Sequence, residues 1–283
     1  MESTDALQLG ALAESDIGGC MALSAEAGWN QTPDDWALFV RHGTVFGLPY
    51  ADGHPVATGA ILPYPRNFAW VSMVLVTASR CRKRIGTRIL QTCCDELSRR
   101  GLVAVLDATP AGERVYRPLG FERMFNLSRW QCEGHGGRGA ELPTGIRPMT
   151  EGDIPAVAAI DAAAFGAQRT FLLENFFRRA PQLAFVTEGV TGFALARPGR
   201  IATQIGPLVA ADEDAAATLL DAALGSASGP VFLDLADRWE NLARQLQRRE
   251  FTVQRPFLRM GLRRSVPFAD AERTFVVAGP EFG

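Results

Sequence analysis

Basic residues are concentrated just before a predicted helix, at a position where anions commonly bind. Arg80, Arg82, Lys83, Arg84 and Arg88 place five cations within nine residues. The N-terminal end of a helix already carries a partial positive charge and backbone N–H groups without intrahelical partners. Each added cation there costs about 0.3–1 kcal/mol. Binding of an anion, most naturally a phosphate, would explain the cluster, and the alternative is a basic turn that only contacts solvent.

A strand before the basic loop and a helix after it position these cations. Residues 71–76 are apolar and rich in β-branched side chains, which favours a strand. Apolar side chains then recur on one face of a helix, at Ile85, Ile89, Cys93 and Leu97. Gly101 follows two arginines and is typical of a residue that ends a helix. The sequence therefore predicts a strand, an anion-binding loop and a helix in succession.

Two segments of the chain resemble the acetyl-CoA-binding core of the GNAT superfamily of N-acetyltransferases. They are VLVTASRCRKRIGTRIL (74–90) and DATPAGERVYRPLGF (107–121). In that family a strand ending in V-x-P leads into [QR]-x-x-G-x-[GA], whose amides hold the pyrophosphate of the cofactor. Here the six positions read Cys81-Arg82-Lys83-Arg84-Ile85-Gly86, so only the last glycine is kept, and Ala78 replaces the proline. The downstream Tyr-x-x-Leu-Gly-Phe stretch ends at Phe121 and makes the resemblance more specific.

The resemblance implies which residues bind acetyl-CoA and which assist the transfer of its acetyl group to an amine. The expected cofactor-binding residues are Val74, Leu75 and Val76 through their backbone N–H groups, and Arg82, Lys83, Arg84, Ile85, Gly86 and Thr87 in the loop. Tyr116 stands where family members often carry the tyrosine that protonates the departing thiolate. The alternative is a half-buried tyrosine that packs a short helix on the sheet.

The general base that would accept the proton of the amine is not evident from the sequence. Asp107, at the end of a predicted strand, is one candidate. Asp34 and Asp35 are others, although both suit the first turn of a helix that begins at Thr32-Pro33, and that role is favoured. Water can also collect the proton. The three histidines make no metal-binding pattern, and no metal is expected.

Aromatic residues near these aspartates could line a site for the amine acceptor. The segment AGWNQTPDDW (27–36) supplies Trp29 and Trp36, of which one can equally be a core residue. In the second half, Phe165 and Arg169 are candidates for the same site. Ordinary packing, or an arginine in solvent, is the alternative for each. We therefore expect Trp29, Asp34, Asp35, Trp36, Phe165 and Arg169 to contact the acceptor.

The element pattern predicts an α+β fold of three layers, with two tandem domains that each have a mostly antiparallel sheet flanked by helices. Strands are predicted at about 7–12, 44–50, 55–62, 102–106, 121–132, 182–187, 191–196, 201–209, 230–234 and 251–263. Further helices are predicted at about 14–27, 33–43, 111–117, 151–164, 169–179, 212–224 and 238–248. The glycine-rich stretch 134–145 is typical of a linker. The predicted domains are 1–135 and 145–264, joined by 136–144 and followed by a tail at 265–283.

Two short sequence motifs of the first half recur in the second half, and these two sequence echoes suggest that the second domain is a duplicate of the first. Leu12-x-Glu14-x-Asp16 recurs as Met149-x-Glu151-x-Asp153, and Phe121 with Arg129 recurs as Phe251 with Arg259. The position that matches the basic loop reads Val209-Ala-Ala-Asp212-Glu213-Asp214, whose acids would repel a pyrophosphate. The arrangement resembles tandem GNAT proteins with a degenerate C-terminal domain, so the second domain is expected to lack the cofactor.

Composition restricts the classes of function. The chain has 283 residues, 47% of them hydrophobic and 21% charged, with a net charge of −2. This near-neutral balance argues against a nucleic-acid or membrane-surface partner. The five cysteines lack disulfide or metal spacing, no apolar run approaches a membrane span, and the first residues do not resemble a signal peptide. These features predict a cytoplasmic protein.

The whole pattern predicts an acetyl-CoA-dependent N-acetyltransferase. The expected acceptor is a primary amine, more specifically a small molecule bound between the two predicted domains. One alternative is a non-catalytic acyl-CoA-binding or regulatory protein, because the cofactor loop departs from the family pattern. The other is an enzyme that acetylates amino groups of proteins.

Overall fold

The structure is a computed structural model that describes residues 9–49, 54–80, 84–135 and 141–283. The chain divides into a first unit, Met1–Pro63 with Asn67–Val105, and a second unit, Tyr64–Arg66 with Leu106–Gly283. The chain passes from the first unit to the second within a strand, between Val105 and Leu106. This division does not coincide with the predicted domains 1–135 and 145–264, which stay a prediction about the sequence.

Among its described residues, the first unit has a mixed sheet accompanied by three α-helices. Its strands are β1 (Gly10–Ala11), β2 (Thr44–Pro49), β3 (Pro55–Tyr64), β4 (Phe68–Val76) and β5 (Val103–Ala108), and its helices are α1 (Ile17–Glu26), α2 (Pro33–His42) and α3 (Ile85–Arg99). Tyr64 and residues 106–108, at the ends of β3 and β5, belong to the second unit. The strands follow one another in chain order, and β4 and β5 pair in parallel.

In the part that the structure describes, the second unit has five α-helices and the remaining strands. Its helices are α4 (Pro110–Tyr116), α5 (Ile154–Phe165), α6 (Thr170–Arg179), α7 (Glu213–Ser226) and α8 (Glu240–Arg248). Its strands are β6 (Phe121–His135), β7 (Ile146–Pro148), β8 (Phe185–Thr187), β9 (Phe193–Arg197), β10 (Thr203–Val209), β11 (Gly229–Ala236), β12 (Thr252–Leu262) and β13 (Thr274–Val276). They are ordered β12-β6-β11-β13-β10-β9-β8-β7. The α+β fold class is thus confirmed.

The first sequence echo corresponds to two turns with the same structure. Asp16 accepts a hydrogen bond from the backbone N–H of Ala13 at 2.7 Å, and Asp153 accepts one from that of Thr150 at 2.8 Å. In both places a 3-10 turn leads directly into a helix, α1 in one case and α5 in the other. The repeated spacing therefore encodes a repeated helix start, as expected of a duplicated domain.

Strand β6 lies between two strands that come much later in the chain. It pairs antiparallel with β11 from Leu127 to His135 and with β12 from Phe121 to Gln131. The sequence predicts β6 as the last strand of the first domain, whereas β11 and β12 belong to the predicted second domain. Backbone hydrogen bonds of β6 are thus satisfied by the second half of the chain. Local sequence patterns do not reveal such pairing.

The segment that the sequence leaves as a tail forms strand β13. Val276 of β13 is paired with Leu208 of β10 on one side and with Leu235 of β11 on the other. The strands β10 and β11 pair directly only over Thr203–Ile205 and Val231–Leu233, in parallel. Beyond that point β13 lies between them, and its residues are buried. Three residues are too short for a periodicity signal, which explains why the sequence did not predict this strand.

Candidate functional site

Helix α3 begins without a side-chain cap at its N-terminus. Arg84, at the N-cap position, has φ 59° and ψ 11°, and its side chain makes no capping hydrogen bond. The first turn contains no acidic residue. Ile85 is buried, and Gly86 and Thr87 are half-buried. The first backbone N–H groups of this amphipathic 15-residue helix therefore have no acid to neutralise their partial charge.

The conformation of Arg84 matches the family pattern in which this position is a glycine. Left-handed backbone is strained for a residue with a side chain and costs on the order of 1–3 kcal/mol. Such strain is common at ligand-binding turns. Arg84 is exposed, as is Arg88 in the first turn. Arg82 and Lys83, which the sequence also assigns to the cofactor, lie outside the described residues, as does Cys81.

Strand β4 carries an irregularity immediately before its predicted cofactor-binding residues. Met73 has φ 54° inside the strand, which is typical of a β-bulge, and its carbonyl oxygen accepts a hydrogen bond from Thr58 Oγ1 at 2.9 Å. The parallel pairing with β5 covers Phe68–Trp70, whereas β4 continues to Val76. Leu75 is buried and packs into the core, while Val74 and Val76 are half-buried. Residues 74–76 thus lie beyond the irregular backbone at Met73 and beyond the part of β4 that pairs with β5.

Tyr116 lies at the end of α4, which follows directly on β5. Thr109 begins α4, and its hydroxyl accepts a hydrogen bond from the backbone N–H of Gly112 at 3.2 Å. A Cβ atom added at Gly112 would lie 2.9 Å from the Tyr116 ring, so this glycine lets the ring fold back along its own helix. The ring also lies 5.9 Å from that of Phe121, centroid to centroid, and is half-buried. The phenol position is therefore set by α4 and by the start of β6.

Asp107 is held in a buried ion pair. Both of its carboxylate oxygens accept hydrogen bonds from Arg259 of β12, at 2.9 and 2.8 Å. Burial raises the pKa of Asp107 above its ordinary value, and the Arg259 guanidinium opposes that shift. A carboxylate whose two oxygens both contact an arginine is poorly suited to accept a proton from an amine. We therefore do not carry Asp107 forward as the general base.

The two tryptophans and two aspartates expected at the acceptor have different environments. Trp36 is fully buried and donates its indole N–H to Ser24 Oγ at 3.0 Å, so it is a core residue, as one of the alternatives held. Asp35 is also buried and accepts hydrogen bonds from the backbone N–H and the hydroxyl of Thr32, at 2.8 and 3.0 Å. It forms the capping box of α2. Asp34 is exposed and Trp29 half-buried, so only these two remain candidates for the acceptor.

Arg169, another residue expected at the acceptor, contacts an aspartate and the last residues of the chain. It is buried and donates to both oxygens of Asp161, at 2.8 and 2.9 Å. Its Nη1 also donates to the backbone oxygens of Phe282 and Gly283. The half-buried ring of Phe165 lies 3.8 Å beneath its guanidinium. We therefore assign Arg169 a structural role, and Phe165 packs against it.

A cavity of about 390 Å³ lies beside this cluster, within the second unit. It is lined by Pro65, Arg66, Ala162, Ala167 and Gln168. The predicted acceptor residues Phe165 and Arg169 are not in its lining. The cavity is open on one side and has no buried charged group, so we assign it no ligand.

Two buried polar groups of the first unit were not singled out by the sequence. The Oε1 atom of Gln31 and the Oγ atom of Ser72 are buried and make no hydrogen bond to the described residues. A buried polar atom without a partner costs about 1–3 kcal/mol. Gln31 lies just before α2, and Ser72 lies next to the bulge at Met73. Neither residue type carries a sequence signal that separates it from an ordinary surface residue.

The second unit contains α7 as the counterpart of α3, but the N-terminus of α7 has a side-chain cap. Asp212 caps α7 by accepting a hydrogen bond from the backbone N–H of Ala215 at 2.9 Å, and Glu213 and Asp214 occupy the first turn. These acids already satisfy the helix end. In addition, β13 lies between β10 and β11, the counterparts of the strands β4 and β5. The start of α7 therefore differs from the start of α3 in its charge, and β10 and β11 differ from β4 and β5 in the strand that lies between them.

Comparison with known proteins identifies the family. A model described as the acetyltransferase (GNAT) family matches residues 20–121, and one described as the acetyltransferase (GNAT) domain matches residues 157–275. The chain belongs to the GNAT superfamily. It is a tandem GNAT N-acetyltransferase, and the two matched ranges correspond to the two halves that the sequence echoes predict.

Relatives of this tandem GNAT protein cover most of its length. The uncharacterized N-acetyltransferase YitH of Bacillus subtilis is 23% identical over 82% of this chain and 83% of its own. The holothin acyltransferase of Pseudoalteromonas sp. is 26% identical over 58% of this chain and 55% of its own. A crystal structure assigned as an acetyltransferase of Pyrococcus horikoshii shares the fold, with a TM-score of 0.82, 19% identity and coverage of 100% of this chain and 98% of that one.

Neither a metal-ligand cluster nor a membrane-spanning helix is evident in the described part of this tandem GNAT protein. No group of His, Cys, Asp or Glu side chains there is arranged to hold a metal ion. Over the same residues, none of the helices combines the length and apolar character that crossing a membrane requires.

Proposed function

We propose that this protein transfers the acetyl group of acetyl-CoA to a small primary amine, with the cofactor held by the first GNAT domain alone. The observation that carries the proposal is the uncapped N-terminus of α3, where Arg84 adopts a left-handed conformation within a basic sequence. Such a helix end binds phosphate groups through its backbone N–H groups. The acidic cap of α7 supports a single cofactor site, because its carboxylates repel a pyrophosphate.

The residues of the first domain fit acetyl-CoA in complementary ways. The backbone N–H groups of Ile85, Gly86 and Thr87 would hold the pyrophosphate, with charge supplied by Arg82, Lys83 and Arg84. The backbone of residues 74–76, after the bulge at Met73, would hold the pantetheine and the thioester carbonyl. Acetyl-CoA supplies the activated acetyl group that the amine nitrogen attacks, with loss of the thiolate.

Tyr116 is the proposed general acid. Its phenol would donate a proton to the sulfur as the carbon–sulfur bond breaks, and the proton lost by the amine would leave through water. Proton transfer of this kind is typically worth about 10²–10⁴-fold in rate. We assign no general base. Asp107 is engaged by Arg259 and Asp35 by Thr32, and Asp34 is an exposed acid in the first turn of α2, where it stabilises the helix end.

The proposed acceptor is a small molecule rather than a protein. The holothin acyltransferase, a relative of this chain, is named for a compound and not for a protein, which supports a small-molecule acceptor. Trp29 and Asp34 are the remaining candidates for acceptor contacts, since one is half-buried and the other exposed. The position of the acceptor between the two predicted domains stays a prediction. So does a cytoplasmic location, which the unpaired thiols of Cys20, Cys93, Cys94 and Cys132 support.

Release of free thiol from acetyl-CoA tests this function directly. The purified chain is incubated with acetyl-CoA and each member of a panel of small primary amines, and the acetylated product is identified by mass spectrometry. We expect thiol release that depends on one class of amine. A response to peptides only would assign the enzyme to protein acetylation. Binding of acetyl-CoA without transfer to any amine or peptide would support a non-catalytic role.

A further inference from the structure

Two buried ion pairs of the second unit have the same geometry. Arg259 of β12 donates from Nε and Nη2 to the two oxygens of Asp107, at 2.9 and 2.8 Å. Arg129 of β6 donates in the same manner to Asp234, also at 2.9 and 2.8 Å. All four side chains are buried, with at most 8% of any of them exposed. Each arginine therefore fixes the end of a neighbouring strand with a rigid two-point contact.

The two pairs are related by the duplication of the chain. Arg129 follows Phe121 by eight residues, and Arg259 follows Phe251 by the same number, which is the second sequence echo. Asp107 and Asp234 each follow a leucine near the end of β5 and β11. The aspartate of each predicted domain is thus held by the arginine of the other. The repeated Phe and Arg positions therefore do more than mark a duplication. They lie at the last strands of the two predicted domains, β6 and β12, and each of these strands is a neighbour of a strand of the other predicted domain.

The elements that follow the two aspartates differ. Two residues after Asp107, Thr109 begins α4, which ends at the proposed general acid Tyr116. After Asp234, β11 ends at Ala236, and α8 begins without a side-chain cap and contains no tyrosine. Both arginines also pack over aromatic rings, Arg259 at 4.9 Å from the centroid of Phe125 and Arg129 at 5.5 Å from that of Phe232, so this contact does not distinguish the two pairs. Only the Asp107 pair therefore stands next to proposed catalytic machinery.

We propose that Arg259 is a positioning residue for acetyl transfer in the first domain. By holding both oxygens of Asp107 it fixes the end of β5, hence the start of α4 and the place of the Tyr116 phenol. This inference rests on the role proposed for Tyr116. It also gives the second half of the chain a function in the reaction that does not require a cofactor site in that half.

The pair related by duplication supplies a matched control. Arg259→Lys and Arg129→Lys each keep the positive charge and remove the planar two-point contact, at equally buried sites. We expect Arg259→Lys to lower kcat at least ten-fold with little change in KM, because a displacement of about 1 Å can cost on the order of 100-fold in rate. Arg129→Lys is expected to leave kcat close to that of wild type. Its loss of stability in urea unfolding should be no larger than that of Arg259→Lys, because Gln204 Nε2 also donates to Asp234, at 2.9 Å.

A second readout does not depend on activity. The chain has three tyrosines, Tyr50, Tyr64 and Tyr116, so 3-fluorotyrosine gives three fluorine resonances that single Tyr→Phe variants assign. We expect Arg259→Lys to shift the Tyr116 resonance and Arg129→Lys to leave it in place. If either lysine variant does not fold, the isosteric pair Asp107→Asn and Asp234→Asn replaces it in both measurements.

The outcomes separate this inference from the proposed function. If the protein transfers no acetyl group but Arg259→Lys alone shifts the Tyr116 resonance, the proposed function is overturned, while the structural link from Arg259 to the Tyr116 phenol is upheld. Unchanged kcat and an unmoved resonance in Arg259→Lys would overturn the positioning role. Equal effects of the Arg259 and Arg129 variants on both readouts would also overturn it, because they would show only a loss of stability.

Discussion

Asp107 and Arg259 are 152 residues apart in the chain and form a bidentate ion pair in the interior. The arginine belongs to β12, near the end of the chain, and the aspartate to β5, next to the helix that carries Tyr116. Removing one partner of such a buried pair typically costs about 3–5 kcal/mol, because the other charge is left without compensation. The two halves of this tandem GNAT protein are therefore mutually dependent in stability.

The fragment 1–135 is expected not to fold on its own. It contains β6 but lacks β11 and β12, with which β6 pairs, and it leaves Arg129 without Asp234 and Asp107 without Arg259. The measurement is circular dichroism and thermal unfolding of the isolated fragment, with the full chain as control. A soluble fragment that unfolds cooperatively and binds acetyl-CoA would contradict this expectation and support the predicted domain boundary.

The variant Tyr116→Phe is expected to lower kcat by about 10²–10⁴-fold and to leave the affinity for acetyl-CoA nearly unchanged. A phenol that acts on the departing thiolate stabilises the transition state and contributes little to the ground state. Steady-state rates and calorimetric titration measure the two quantities. The variant Tyr64→Phe is the control, because Tyr64 donates to the backbone oxygen of Phe282 and has no proposed role in the reaction. Turnover equal to wild type would leave Tyr116 with a packing role only.

Phe282→Ala is expected to destabilise the protein by about 3–5 kcal/mol. The Phe282 ring is fully buried and lies edge-on to Phe176 at 5.6 Å, and Tyr64 donates to its backbone oxygen at 2.8 Å. Urea unfolding measures the free energy. The exposed Val266, truncated to alanine, is the control and should change stability by less than about 0.5 kcal/mol. A cost for Phe282→Ala no greater than for Val266→Ala would show that the last residues do not pack as described.

The contribution of Asp153 to stability is expected to depend on pH. Hydrogen bonds from Arg147 and from Thr150 hold the pKa of Asp153 well below its ordinary value of 3.8. A carboxylate with a lowered native pKa contributes stability above the ordinary value, and that contribution is lost as the pH falls through the native value. The difference in unfolding free energy between wild type and Asp153→Asn should thus be constant above about pH 5 and shrink below pH 4.

Urea unfolding from pH 7 to pH 2.5 measures this difference. The exposed neighbour Glu151, changed to glutamine, is the control, and its effect should be small throughout. If the difference in unfolding free energy between wild type and Asp153→Asn instead grew as the pH fell, the native pKa of Asp153 would have to be raised and not lowered, which would contradict the prediction.

The sequence predicts what depends on local patterns. The amphipathic spacing of α3, the capping residues of α2 and the repeated turn before α1 and α5 are encoded within a few residues, and the structure shows each of them. The fold class and the duplication follow from the same patterns. The predicted strand at 182–187 is shortened to β8, because Pro181–Leu183 forms a 3-10 turn.

What the sequence did not predict depends on long-range pairing. In the sequence, Asp107 looks like a free acid near the end of a strand, and only the structure shows its contact with Arg259. Arg169 likewise looks like a surface arginine, and only the structure shows that it donates to the backbone of Gly283. Trp36 is indistinguishable in sequence from the half-buried Trp29, and only its complete burial and its hydrogen bond to Ser24 show that it is a core residue. The pairing of β6 with β11 and β12 was not predicted for the same reason, because the partner of a strand is not encoded in the residues next to it.

Calorimetric titration of acetyl-CoA tests the central claim most directly, namely that the first GNAT domain alone holds the cofactor at the basic end of α3. The account predicts one site per chain, and loss of binding when Arg82, Lys83 and Arg84 are all changed to glutamate. The control is Arg99→Glu at the opposite end of the same helix, where the side chain is exposed and pairs with Glu96. Two equivalent sites per chain, or binding that survives the triple reversal, would contradict it.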